Sequence, residues 1–271
     1  MSEIDWDTPE SAKIYDQNCD HQFQKGQTLI RMMKIKNGDS VLDIGCGTGW
    51  QALNVSKIIG QSGKLTCIDP SSYRIELARK KFGVDSLNSV RFLVGQAEDL
   101  SSIPDNSINH AYFCSSFHWV DDKKIALSET YRVLKPGGSI GMTTLDRDSP
   151  NTMRKLVDLI LAKYNITRNF ELHKGINRVN AVELHNLLSE AGFTSISIES
   201  RMIPRQHRSP EEFLKRLEER DSSRNLLTDI PDEIKEKIKQ EIYEEYIKIQ
   251  NSTFAESGIV TLFAIATKPN E

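Results

Sequence analysis

Hydrophobic positions along this chain alternate between two rhythms. Compact apolar runs at 40–44 (SVLDI), 64–68 (KLTCI), 90–94 (VRFLV), 111–114 and 139–144 predict strands. Between them, 50–59, a stretch carrying Ile75, Leu77 and Ala78, and 125–134 repeat their apolar residues at helical spacing. Gly60 closes the first of these helices. Lys135-Pro136-Gly137-Gly138 closes the last, because proline cannot continue a helix and glycine frees the turn. Strand alternating with helix predicts a doubly wound α/β fold, a parallel sheet with helices on both faces.

The flanks follow other patterns. Residues 8–36 predict one helix with Leu29, Ile30, Met32, Met33 and Ile35 on its apolar face, stopped by Asn37-Gly38-Asp39. Beyond Thr144, helices are predicted at 150–164 and 180–191, the second ending at Gly192, and a strand through Ile196 and Ile198. Residues 209–250 are charged, with Phe213, Leu214, Leu217, Ile238, Ile242, Tyr246 and Ile249 at helical spacing. The run 259–266 (IVTLFAIA) reads as a buried strand.

Composition narrows the function classes. The chain has 271 residues, 38% hydrophobic and 27% charged, within the range of one large globular domain. A net charge of −3 gives no general field to attract nucleic acid or an anionic membrane. Cys19, Cys46, Cys67 and Cys114 form no C-x-x-C pair, so neither a disulfide framework nor a metal site is expected, and a reducing cytoplasm fits. MSEIDWDTPE lacks the basic start and apolar core of a signal peptide, and no apolar run is long enough to span a bilayer.

The densest chemical signal is Val41-Leu42-Asp43-Ile44-Gly45-Cys46-Gly47-Thr48-Gly49-Trp50, a strand running through glycines into a helix. Glycines at 45, 47 and 49 let the backbone pass close beneath a ligand. Asp69 ends the second strand, where an acid can grip ribose hydroxyls or, alternatively, cap the next helix. The spacing G-x-G-x-G differs from the G-x-G-x-x-G of pyrophosphate-binding loops. Asp43 just before it disfavours a pyrophosphate and suits a cationic ligand or an ammonium group.

The segment 43–49 closely resembles the first motif of class I S-adenosylmethionine-dependent methyltransferases. The resemblance continues through Asp69, Gly95-Gln96-Ala97-Glu98-Asp99-Leu100, Pro104-Asp105-Asn106-Ser107-Ile108 and Leu134-Lys135-Pro136-Gly137-Gly138, covering roughly 38–145. It implies a Rossmann-like sheet of seven strands in order 3-2-1-4-5-7-6, the last antiparallel, under a helical cap. It also implies S-adenosyl-L-methionine as cofactor and S-adenosyl-L-homocysteine as product. Asp43 and the backbone of Gly45, Cys46, Gly47 and Gly49 would face the methionine part, Asp69 with Pro70 the ribose, and Gln96, Ala97 and Glu98 the adenine edge. Many relatives carry Asp at the position of Gln96, whose carbonyl can still accept from the adenine amino group. Cys114 and Ser115 end the fourth strand where relatives place a small cofactor-contacting residue; a buried structural cysteine is the alternative.

The acceptor side is less defined. Phe117-His118-Trp119 resembles the F/L-[HQ]-W stretch of small-molecule members such as trans-aconitate methyltransferases, and the core also resembles the ubiquinone and menaquinone biosynthesis group. His118 is either a general base or a residue that shapes the pocket. Trp6, Tyr15, Gln22 and Phe23 can build a lid, with Tyr15 otherwise a surface residue. Arg201, Arg205, His207 and Arg208 form a basic cluster that can bind an anion or stay solvated. The expected organisation is one domain with an N-terminal lid (1–37), a cofactor core (38–145), the rest of the sheet with helical additions (146–208), a helical cap (209–251) and a final strand (252–271). The expected reaction is methyl transfer to a small-molecule acceptor by a monomer or homodimer, with no nucleic acid or membrane partner. The alternatives are a protein or RNA acceptor, or cofactor binding without catalysis.

Overall fold

The computed structural model describes residues 7–82, 89–149, 152–166, 177–204, 209–218, 227, 230–250 and 258–270. Its elements run α1 (Pro9–Asn18), α2 (Asp20–Met33), β1 (Ser40–Ile44), α3 (Trp50–Ile59), β2 (Lys64–Asp69), α4 (Ser72–Lys80), β3 (Val90–Val94) and β4 (Ile108–Cys114). They continue with α5 (Lys123–Val133), β5 (Leu134–Leu145), α6 (Thr152–Lys163), α7 (Ala181–Glu190), β6 (Thr194–Pro204), α8 (Pro210–Glu218), α9 (Asp232–Gln250) and β7 (Gly258–Thr267). The strands form one seven-stranded sheet in the order β3-β2-β1-β4-β5-β7-β6. β1 pairs parallel with β2 and β4, β2 with β3, and β4 with β5, whereas β7 runs antiparallel to β5. The strand order therefore reverses between β1 and β4. That is the switch point where open α/β sheets leave a crevice at the strands' carboxyl ends.

Contacts divide the chain into two compact units. One comprises Met1–Asp148, Gly175–Arg201 and Thr261–Glu271 and holds the sheet. Its core brings Leu42 and Ile44 of β1, Phe113 of β4 and Met142 of β5 together with Leu184 and Leu188 of α7. The other comprises Ser149–Lys174 and Met202–Val260. There Val157, Ile160 and Leu161 of α6 share a core with Leu217 of α8 and Ile238, Ile242 and Tyr246 of α9. Helix α6 thus groups with the charged helices of 209–250. Among the described residues no helix is long and apolar enough to cross a membrane.

Two expectations are corrected. The single helix expected over 8–36 is broken at Cys19 (φ −93°, ψ 16°). There the Asn18 side chain donates to the Ile14 carbonyl at 2.9 Å and the Cys19 thiol to the Asp16 carbonyl at 3.6 Å. Side chains take carbonyls that a continuing helix would bond through backbone amides. The segment Lys135–Gly138 is not a turn before a strand but part of β5. Ile108 faces Leu134 and His110 faces Ser139, so the four residues bulge out of the ladder. Gly137 takes φ 73° and its amide donates to the Lys268 carbonyl at 3.0 Å. The Lys268 ammonium in turn bonds the Tyr131 and Leu134 carbonyls at 2.8 and 2.7 Å, a cation at the end of α5.

Helix α7 begins with a complete capping box. The Asn180 carboxamide oxygen accepts from the Glu183 amide at 2.9 Å, and Glu183 accepts from the Asn180 amide at 3.3 Å. Asn180→Ala is expected to cost about 1 kcal/mol. In a chain of this size it should lower Tm by roughly 2–4 °C, measured by thermal denaturation. An unchanged Tm would mean that the box contributes nothing measurable.

Candidate cofactor site

After β1 the chain turns through Gly45 (φ 75°), Gly47 (φ 55°) and Gly49 (φ 84°) into α3. These are left-handed conformations that glycine adopts without penalty. The loop hangs on the end of β2. The Gly45 and Cys46 amides both donate to the Ile68 carbonyl, at 2.8 and 3.0 Å, and the Gly47 amide to Asp69 Oδ2 at 2.8 Å. Gly47 lies under the Tyr15 ring, whose Cε1 would stand 3.3 Å from a Cβ placed there. The Arg74 guanidinium stacks 4.6 Å from the centre of that ring. Asp16 ties α1 to the same place, accepting from the Trp50 indole at 2.8 Å and the Lys81 ammonium at 2.6 Å.

Beside the loop lies a cleft of about 360 Å³, open to solvent, walled by α1, α2, the glycine loop, the start of α3 and the end of β4. Four buried side-chain atoms on its lining residues lack a hydrogen-bond partner: Asp43 Oδ1, Thr48 Oγ1, and Nε2 and Oε1 of Gln51. Leaving such groups unsatisfied costs about 1–3 kcal/mol each, so their convergence marks a place built for a polar ligand. Asp43 is 1% exposed, and its other oxygen accepts from the Tyr112 hydroxyl at 2.6 Å. Burial pushes the Asp43 carboxyl up to about 7, against the pull of the Tyr112 bond and with help from the Asp69 carboxylate. A cation placed at Oδ1 would complete its ionisation.

A family model of a methyltransferase domain matches residues 42–142. The chain is 30% identical over 181 residues to malonyl-[acyl-carrier protein] O-methyltransferase of Pectobacterium atrosepticum, covering 66% of this chain and 67% of that one. The chain belongs to the class I S-adenosylmethionine-dependent methyltransferases. It is also 33% identical over 122 residues, or 45% of its length, to demethylmenaquinone methyltransferase of Listeria welshimeri, and spans 50% of that relative. Its fold matches phosphoethanolamine N-methyltransferase 2 of Haemonchus contortus, solved with phosphomonomethylethanolamine and S-adenosylhomocysteine. The TM-score is 0.59 at 16% identity, over 97% of this chain and 58% of that one. The observed strand order is the one the family resemblance implies.

The methyltransferase motifs divide into residues at the cleft and residues beneath or beside it. Asp43, Gly45, Cys46, Gly49, Cys114 and Tyr15 line the cleft, so Tyr15 is not a free surface residue. Gln22 and Phe23 of α2 line it too. Asp69 does not. It is 3% exposed, and its two oxygens accept from the Gly47 and Ser71 amides at 2.8 and 3.0 Å. Nor does it cap α4, whose cap is Ser71, accepting from the Arg74 amide at 3.2 Å. Pro70 and Gln96 are exposed and Ala97 is buried, and none of the three is among the residues lining the cleft. Glu98 fastens the loop before α5, accepting from the Asp121 and Asp122 amides at 3.0 and 3.1 Å. Ser115 takes φ 58° and donates its amide to the Thr143 carbonyl and hydroxyl, again off the cleft.

Thr48, Gln51, Cys19 and Trp50 also line the cleft without having been assigned a role from sequence. The signal for Gln51 was a polar residue on the buried side of the first turn of α3. Burial pushes Cys19 up to about 11 and Cys114 to about 12, so both stay protonated at neutral pH.

His118 sits in a short 3-10 turn, Phe117–Trp119, is 6% exposed and is not among the residues lining the cleft. Burial pushes its imidazole down to about 3, with Lys25, Arg178 and Lys123 adding to the shift. An imidazole so weakly basic favours the pocket-shaping alternative over the general base. Arg201 pairs with Glu199 at 2.5 Å, and Arg205, His207, Arg208 and Trp6 lie outside the described residues. Among the described residues no cluster of His, Cys, Asp and Glu could hold a metal ion.

Proposed function

We propose that the cleft holds S-adenosylmethionine by its methionine end, and that the enzyme passes the methyl group to a small-molecule acceptor. The observation that carries this reading is the set of unpartnered atoms around the cleft. They match a zwitterion: Asp43 Oδ1 offers an anion to an ammonium, while Thr48 Oγ1 and Gln51 Nε2 offer donors to a carboxylate. Asp69 acts through the loop, holding the Gly47 amide so that the glycine floor keeps its shape. Tyr15 closes over Gly47 and keeps water from the bound nucleotide. Bound there, the sulfonium supplies an electrophilic methyl carbon, so the residues around it need chiefly to orient an acceptor. Two relatives are named for malonyl-[acyl-carrier protein] and for demethylmenaquinone, which favours a metabolite acceptor over a nucleic acid. The net charge of −3 agrees.

Calorimetry with S-adenosylhomocysteine tests the site. Thr48→Ala and Gln51→Ala are each expected to weaken binding about tenfold, the loss of one hydrogen bond to a charged group. Parental affinity in both variants would place the ligand elsewhere. Isotope transfer from labelled S-adenosylmethionine into a metabolite extract then identifies the acceptor.

A further inference from the structure

A second buried polar cluster stands apart from the methionine-binding atoms. His118 is 6% exposed and its Nδ1 has no hydrogen-bond partner. Arg178 is half-buried, and its Nε is shut off from solvent, also without a partner. Among the described residues no carboxylate pairs with its guanidinium, whose affinity for a proton is lowered by burial alone. The two side chains belong to adjoining backbone, because the Asn177 amide donates to the His118 carbonyl at 2.7 Å. Lys123, a third cation acting on His118, is 6% exposed. Its ammonium donates to the Val120 carbonyl at 2.9 Å and stands 5.3 Å from the Phe117 ring centre. Ser116, two residues before His118, packs directly on Gly45 of the cleft floor.

Three cations therefore act on one imidazole, and among the described residues no carboxylate pairs with Arg178. Burying a guanidinium without a counter-charge costs several kcal/mol, a cost removed when an anion arrives. Lys123 already has Asp121, Glu98 and Glu183 acting on it, as well as its carbonyl partner. That leaves the planar fork of Arg178 as the uncommitted group, and such a fork matches a carboxylate in a bidentate fashion. A neutral imidazole can add one hydrogen bond from Nδ1.

We infer that the Arg178–His118 cluster is the acceptor subsite, and that it takes a substrate bearing a carboxylate. Arg178 is the specificity-determining residue and His118 a hydrogen-bonding partner that stays uncharged. The inference rests on the reading of the neighbouring cleft as the methyl-donor site.

The test uses the full chain loaded with S-adenosylhomocysteine and titrated with malonate, malonamide and inorganic phosphate by calorimetry. Malonate is expected to bind with a dissociation constant on the order of 1 mM, and Arg178→Gln to weaken it about tenfold. Arg178→Lys should recover part of the loss. In both variants S-adenosylhomocysteine should bind as in the parent, which shows that the unit is folded. Nitrogen NMR of His118 supplies a second readout: a carboxylate against the ring must move its titration upward. Failure of malonate to bind, or equal binding of malonamide, overturns the subsite while leaving the cleft reading intact. Tighter binding of phosphate than malonate overturns the carboxylate assignment. Failure of S-adenosylhomocysteine itself to bind overturns the cleft reading.

Discussion

Asp43→Asn is expected to stabilise the ligand-free protein and, in the same molecule, to weaken its grip on S-adenosylhomocysteine. The Asp43 carboxyl is raised from 3.8 to about 7, chiefly by burial. A raised acid favours the folded state while it is protonated. That contribution is whole below the unfolded value and is lost as pH rises through the folded one. By pH 8 the loss amounts to about 4 kcal/mol, because each tenfold change in proton affinity is worth about 1.4 kcal/mol. Asparagine cannot ionise, and its carbonyl can keep the 2.6 Å bond from Tyr112. The variant should therefore melt several degrees above the parent at pH 8 and close to it at pH 4. Binding moves the other way. An ammonium at Oδ1 needs the carboxylate, so parental affinity should climb between pH 5 and pH 7 and then level. The variant should show no such slope and should bind about 30- to 100-fold more weakly at pH 8, the worth of a buried charge-assisted hydrogen bond. Equal affinity of parent and variant at pH 8 would remove Asp43 from the ligand.

That opposition of stability and binding explains what the sequence could and could not disclose. The strands are short, apolar and separated by helices, so local pattern alone located β1, β2 and β3, and the glycine loop marked the switch point between β1 and β4. Asp43 was legible because an acid beside three glycines has few structural uses. Asp69 was legible as important, but the bonds its oxygens accept from the Gly47 and Ser71 amides depend on how the loop folds back, which residue order does not state. Thr48 and Gln51 escaped assignment because a polar side chain in a loop or on a helix looks the same whether it faces solvent or a cleft. The break at Cys19 and the bulge at Lys135–Gly138 escaped for a related reason. Each depends on which carbonyl a side chain or a distant amide reaches, Asp16 and Ile14 in one case and Lys268 in the other. The two alternatives for His118 stayed open because a motif gives the residue type and not its surroundings; burial and the nearby cations, which lower its proton affinity, are visible only in the fold.

Gly45→Ala should be the most damaging single-methyl change in the cleft. A Cβ at residue 45 would stand 2.3 Å from the Ser116 Cβ and 2.8 Å from its Oγ. No rotamer relieves the first contact, since a Cβ moves only with its backbone. The second is held by the bond from Ser116 Oγ to the Ile44 carbonyl at 2.5 Å. The backbone also sits at φ 75°, which costs alanine about 1 kcal/mol. With about 2 kcal/mol for overpacking, the loss is roughly 3 kcal/mol, or a fall in Tm of about 5–10 °C. Affinity for S-adenosylhomocysteine should fall as well, because the Gly45 and Cys46 amides lose their register on Ile68 and displace Asp43 just upstream. The contact and the φ penalty can be separated. Adding Ser116→Gly removes the contact and leaves the backbone cost. The double variant should then regain about 2 kcal/mol relative to the sum of the singles, a coupling expected only of residues that touch. Strict additivity would show that the approach of Ser116 to residue 45 is not what demands glycine there, and that the left-handed backbone alone does.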